Sequence, residues 1–220
     1  MAPPPPCPDR RVPSVVGTPI AAVTDPGGPT DCENARLHWY SCYLALPDEG
    51  VAAAFPDHRA RRARVEAAKW PVRKACRRCE GSLKKLRSPR DIYQCVDCRR
   101  QETLTAGTVL EGTHLDLSVW FAAAERHITH QAVSGGIYAP LVQDVVRETG
   151  CDRTTARRIL RPIERDLNPS GPGFLSRVVC IQKEWSPDRV LEGNAEQLAS
   201  LEGEVRKAFD RRLLTKRSTG

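Results

Sequence analysis

Two short cysteine repeats constrain this chain more than anything else in it. Cys76-Arg77-Arg78-Cys79 is followed, after fifteen intervening residues, by Cys95-Val96-Asp97-Cys98. Two thiolates on one tight knuckle reach a single ion, and two knuckles joined by a hairpin complete a tetrahedral four-sulfur shell. This is zinc-ribbon spacing, with Cys76, Cys79, Cys95 and Cys98 as the expected ligands. A four-sulfur shell leaves no position for a water, so the metal is read as structural rather than catalytic. Zinc is preferred, although iron-sulfur sites share the ligand set.

The charge of the chain gathers around that module. The net charge is +7, yet residues 59 to 100 alone hold fifteen Lys/Arg against four Asp/Glu. Such a surface is the footprint of a polyanion binder. Nine cysteines, four of them in metal spacing, do not resemble the disulfide framework of a small secreted domain. Met1-Ala-Pro-Pro-Pro-Pro is no secretory leader, and no apolar run approaches the ~18 residues of a membrane span. The expectation is a soluble, cytoplasmic chain without a membrane partner. Residues 1 to 30 carry nine of the eighteen prolines and read as disordered.

The pattern predicts an α+β fold: a small zinc ribbon, made of a β-hairpin plus a third strand, then a mainly α-helical region, after a disordered N-terminus. Four segments are expected. They are a proline-rich, largely disordered extension (1–54), a lead-in helix and ribbon (55–112), a helical region with a helix-turn-helix (113–166), and a linker with a C-terminal amphipathic helix (167–220). In the lead-in helix, Arg59, Arg61, Arg62 and Arg64 are placed to extend the basic surface toward phosphates. The hairpin turns at Ser88-Pro89-Arg90, with Lys84, Lys85, Arg87 and Arg90 on or beside it and Leu83, Leu86, Ile92 and Tyr93 as its small apolar surface. Arg99 and Arg100 follow the second knuckle on the same basic surface. So little is buried that metal binding should supply much of the module's folding free energy.

Further along, Leu117, Trp120, Phe121, Ala124 and Ile128 give one buried helical face from about Leu117 to Gln131. His114, His127 and His130 lack the company of other ligands and are read as packed or solvated, and Cys32, His38 and Cys42 as ordinary packing. Pro140 opens a helix whose apolar face is Leu141, Val142, Val145 and Val146, and Gly150 supplies a turn. Asp152 or Thr154 caps a second helix, with Ala156, Ile159, Leu160 and Ile163 inward. The outward Arg153, Thr154, Arg157, Arg158 and Arg161 then face a groove, where arginine forks bind guanine edges or phosphates. Pro162 is expected to end or kink that helix. Arg177 to Gln182 reads as a β-like run. The final helix, from about Ala195 to Leu214, repeats Leu198, Leu201, Val205, Phe209 and Leu213 as a core stripe or a homodimer seam.

Phe55-Pro-Asp, Lys69-Trp70-Pro71, the two cysteine pairs, Arg99-Arg100-Gln101, Thr105-Ala-Gly-Thr, Thr113-His-Leu and Val119-Trp120-Phe121, taken in order, resemble the N-terminal region of zinc-ribbon insertion-sequence transposases. The resemblance spans residues 55 to about 165. It implies that Cys76, Cys79, Cys95 and Cys98 hold zinc and that the Leu141 to Arg165 region is a helix-turn-helix, with Val146 where a small residue is usual. It also implies double-stranded DNA as partner, specifically the terminal inverted repeats of a mobile element. In that family a ribonuclease-H-like domain with metal-bound carboxylates then performs strand cleavage and transfer. Here Phe174-Leu-Ser-Arg-Val-Val-Cys-Ile-Gln carries no acid where the first catalytic aspartate is expected, and Glu184, Asp188 and Glu192 share one local segment. Only 47 residues follow Gly173, where such a domain needs roughly a hundred. The expected function is therefore DNA binding without catalysis. The alternatives are the DNA-recognition part of an active transposase whose catalysis lies on another chain, and a zinc-ribbon module for protein or RNA partners.

Overall fold

The computed structural model describes residues 31–87, 91–134, 142–182 and 195–218. The disorder expected for residues 1–30, the turn residues Ser88, Pro89 and Arg90, the helix opening at Pro140 and Leu141, and Glu184, Asp188 and Glu192 lie outside them. Eight helices and one three-stranded antiparallel sheet make up the described part, an α+β architecture. No helix among the described residues is long and apolar enough to cross a membrane.

Residues 31–54 depart from the expected extension. Helix α1 (Asp31–Leu44) and the short α2 (Val51–Ala54) are integral to the fold, with Leu37, Trp39, Tyr40, Cys42 and Tyr43 all buried. α1 packs against α4 (Leu117–Ser134) on one side and α8 (Ala195–Ser218) on the other. A helix covered on more than one side carries apolar residues around its circumference, so no single stripe announces it. The stripe of α8 is likewise used within the chain. Leu198, Leu201, Val205 and Ala208 are buried, Arg36 pairs with Glu202 at 3.1 Å, and Arg212 donates to the carbonyl of Leu46 at 2.8 Å. The face expected as a possible homodimer seam is therefore largely covered by α1, leaving Leu213 exposed.

Helix α3 (His58–Lys69) begins where the Asp57 carboxylate accepts the Ala60 N–H at 2.7 Å. It leads to the sheet of β1 (Leu83–Lys85), β2 (Ile92–Cys95) and β3 (Gln101–Thr103), in that spatial order. Lys84 faces Gln94 across the first pair, and Tyr93 faces Glu102 across the second. Beyond α4 come α5 (Val142–Thr149) and α6 (Arg153–Leu167), joined at Gly150, whose φ of 68° suits a residue without a β-carbon. Asp152 caps α6 by accepting the N–H groups of Thr154 at 2.8 Å and Thr155 at 3.0 Å.

One expectation for this region is narrowed and another corrected. Pro162 lies inside α6 and does not end it, the helix continuing to Leu167. It costs one backbone bond, but Ile159, Ile163 and Leu167 hold the following turn in the core. The β-like run at 177 to 182 forms no strand: its first half ends the helix α7 (Phe174–Val179), and residues 180 to 182 are irregular. Buried Asp166 accepts the N–H groups of Phe174 at 3.2 Å and Leu175 at 2.6 Å, satisfying first-turn donors that Gly173 has no side chain to satisfy. Tertiary hydrogen bonding thus overrides the β preference of Val178 and Val179. A contiguous apolar core runs from Leu37 to Ala208 and joins the expected segments.

Candidate metal centre and cationic face

Cys76, Cys79, Cys95 and Cys98 converge, their Sγ atoms all within 4.8 Å of one another. Cys76 and Cys98 lie 3.7 Å apart, and Cys79 and Cys95 3.4 Å. Disulfide sulfurs sit at about 2.05 Å, whereas a tetrahedron with Zn–S bonds of about 2.3 Å has edges of about 3.8 Å. The four thiols therefore fit a divalent ion rather than each other.

The two knuckles are built alike. The Glu80 N–H returns to the Cys76 carbonyl at 2.8 Å, and the Cys76 N–H reaches the Gly81 carbonyl at 2.8 Å. At the second knuckle the Cys95 N–H reaches the Arg100 carbonyl at 2.9 Å. A β-carbon at Gly81 would meet the Asp97 carboxylate and approach the Cys95 sulfur, so a side chain there would have to displace Asp97. The amide N–H groups of Arg78 and then Cys79 point at the Cys76 sulfur and lower its pKa to about 7. At Cys79 the Gly81 amide favours the thiolate, but the Cys95 and Cys98 sulfurs outweigh it and push the pKa up to about 12. Four thiolates crowded together need a cation, which is what a metal supplies. Among the described residues no other three or more His, Cys, Asp or Glu side chains converge this way. His38 instead bonds the Leu167 carbonyl at 2.8 Å.

Polar contacts to α3 fix the sheet in place. Tyr93, fully buried, donates to Glu66 at 2.6 Å, Glu66 also pairs with Lys74, and Lys69 donates to the Thr103 carbonyl at 2.9 Å. These contacts divide the basic residues into two sets. Arg62 and Lys85 both pair with Asp91, and Arg61 pairs with Asp116. Arg64 donates to the carbonyls of Arg177, Val178 at 2.9 Å and Cys180 at 3.3 Å, covering the exposed end of α7. Three of the four α3 arginines expected to face phosphates are thus committed within the chain, and Arg59 alone of them is exposed.

The second set is solvent-facing. Lys84, Arg87, Arg99 and Arg100 are exposed around the sheet, as are Arg153, Thr154, Arg157, Arg158 and Arg161 on α6. None of these cations pairs with a carboxylate among the described residues. Lys85 is exposed but shares Asp91 with Arg62. Arg90 lies outside the described residues. Sequence reasoning passed over Arg165 and Arg177, because the first sits beyond Pro162, where the helix was expected to stop, and the second in a supposed strand.

Comparison of the chain with known protein families, with curated proteins and with solved structures finds no match.

Proposed function

We propose that this chain is a zinc-dependent, sequence-selective DNA-binding protein of transposase ancestry, its cysteine module a zinc ribbon and α5–α6 its helix-turn-helix. One observation carries the reading: Arg153, Thr154, Arg157, Arg158 and Arg161 are all exposed on one helix whose opposite face, Ala156, Ile159 and Ile163, is buried. Guanidinium groups without carboxylate partners remain available for guanine edges and phosphates, and a capped helix of this length enters a major groove. Zinc, held by Cys76, Cys79, Cys95 and Cys98, fixes the sheet, so that Lys84, Arg87, Arg99 and Arg100 present a second cationic surface beside it. Terminal inverted repeats are the site that the resemblance points to. Recognition, not strand chemistry, is the role assigned to these residues.

Gel shifts with the zinc-loaded chain test this. Duplex binding should fall steeply with salt, with a log–log slope of about 0.9 per phosphate contacted. Reversing charge with Arg157→Glu and Arg158→Glu should abolish sequence preference. Absence of salt-sensitive duplex binding by zinc-loaded protein rules the reading out.

A further inference from the structure

The exposed arginines of α6 do not end at Arg161. Arg153, Arg157, Arg161 and Arg165 recur at every fourth position and are all exposed. At about 1.5 Å per residue the row is about 18 Å long, or about five base-pair rises of 3.4 Å. It runs into a cleft of about 370 Å³ between the loop after β3, at Gly107 and Thr108, and the α6–α7 corner, at Arg165 and Arg177. A shallower hollow of about 560 Å³ continues past Arg161 and Arg165 along the 168–172 turn.

The charges in the cleft are unequally committed. Arg165 pairs with no carboxylate among the described residues, and Arg177 spends one N–H group on the Pro172 carbonyl at 2.9 Å. The acid between them, Asp166, is 3% exposed and has each oxygen occupied by a backbone N–H of α7. At the other wall Glu111 accepts the Gly107 N–H at 2.9 Å. Arg77, from the first cysteine knuckle, lies so close over Gly107 that a β-carbon there would overlap its guanidinium. Arg165 and Arg177 therefore line one open cleft, with Arg77 packed on the Gly107 of its opposite wall; Asp166 and Glu111 accept backbone amides, and exposed Glu164 lines the adjoining hollow rather than the cleft.

We propose that this cleft seats a phosphodiester of the same duplex whose groove receives the N-terminal half of α6. Arg165 and Arg177 clamp the phosphate, and Arg77, packed on Gly107 of the opposite wall, couples the cysteine module to the register of the helix. Guanidinium forks match phosphate oxygens bidentately, and such contacts position a protein without reading sequence. The inference rests on the DNA-binding reading above, which it extends from the exposed helix to a second site.

The experiment compares wild type, Arg165→Gln and Arg165→Gln/Arg177→Gln, as zinc-loaded full chains, by fluorescence anisotropy on two unrelated 25-base-pair duplexes over a salt series. Arg165 has no described side-chain partner, so its single variant should keep the wild-type melting temperature and zinc content. The expected result is a log–log salt slope smaller by about 0.9 in the single variant and about 1.8 in the double, with affinity lost equally on both duplexes. Unchanged slopes while wild type binds would overturn the cleft and leave the DNA reading standing. No salt-sensitive binding by wild type would remove both. If poly-glutamate competes as well as duplex for wild type and not for the double variant, the occupant is an acidic protein segment and the proposal fails.

Discussion

Glu80 and Arg99 share the left-handed backbone region, at φ 58° and 60°, each directly after the second cysteine of its knuckle. For residues with a β-carbon that conformation costs about 1–2 kcal/mol, so the folded module holds both against their preference. Glycine would relieve the strain but loosen the unfolded chain. Glu80→Gly and Arg99→Gly should therefore leave zinc-loaded stability unchanged or raise it by up to about 1 kcal/mol. Glu80→Val and Arg99→Val should lower stability below wild type, because a β-branched side chain tolerates that region least. Thermal melts of the four variants check this, and a clear loss in both glycine variants would mean that the side chains rather than the backbone hold the turns.

Metal removal should separate the two parts of the fold. The sheet depends on the four cysteines and a few contacts to α3, whereas Tyr43, Phe121, Ile128, Ile163 and Leu175 form a buried helical core. Chelation, or Cys79→Ser, should abolish the near-ultraviolet signal of Tyr93 and Trp70, whose rings lie 4.8 Å apart, while most of the far-ultraviolet helical signal persists. Metal analysis of the untreated chain should find one zinc per molecule. Retention of the near-ultraviolet signal after complete zinc removal would show that packing alone orders the sheet.

Arg64 joins parts of the chain more than a hundred residues apart, and its burial lowers its pKa against the opposing influence of Cys180. Arg64→Ala would strand the last carbonyls of α7, at a cost of about 2–4 kcal/mol for several lost charge-assisted bonds. Arg64→Lys keeps the charge but not the planar fork, and should recover less than half of that. Urea unfolding at neutral pH measures both. Equal stability of the alanine and wild-type chains would mean that water replaces the arginine at that helix end.

The cysteine module was legible because ligand spacing is a local property: two residues within each pair fix the knuckle, and the three strands follow from the short segments between turns. The α5–α6 pair was legible for a similar reason, since Gly150 and Asp152 announce the turn and the cap. What escaped was set by distant partners. Trp39 and Tyr43 carry no helical stripe because α1 is covered on two sides, and α7 is helical because Asp166 and Arg64 complete its two ends. Pro162 misled for the same reason, its local penalty being outweighed by the burial of Ile163 and Leu167.

His127 is 1% exposed, packs its ring edge-on to Trp39, and has no hydrogen-bond partner at either ring nitrogen among the described residues. Burial, and secondarily His130, lowers its pKa to about 4, against about 6.5 in an unfolded chain. Below pH 6.5 the unfolded chain binds a proton that the folded chain refuses. The stability present above that pH is therefore lost as pH falls toward 4, to a limit of about 3 kcal/mol. Burial also lowers His38, but Cys42 and the Leu167 carbonyl outweigh it and raise its pKa, so its contribution runs the other way. Comparison with His127→Leu isolates the first effect from that and from acid loss at carboxylates. The variant should be more stable than wild type by about 1–3 kcal/mol at pH 7.5, because a buried unsatisfied imidazole is removed, and the gap should widen at pH 5.5 and again at pH 4.5. Parallel urea-unfolding curves for the two proteins across that range would show that His127 is solvated in the native chain.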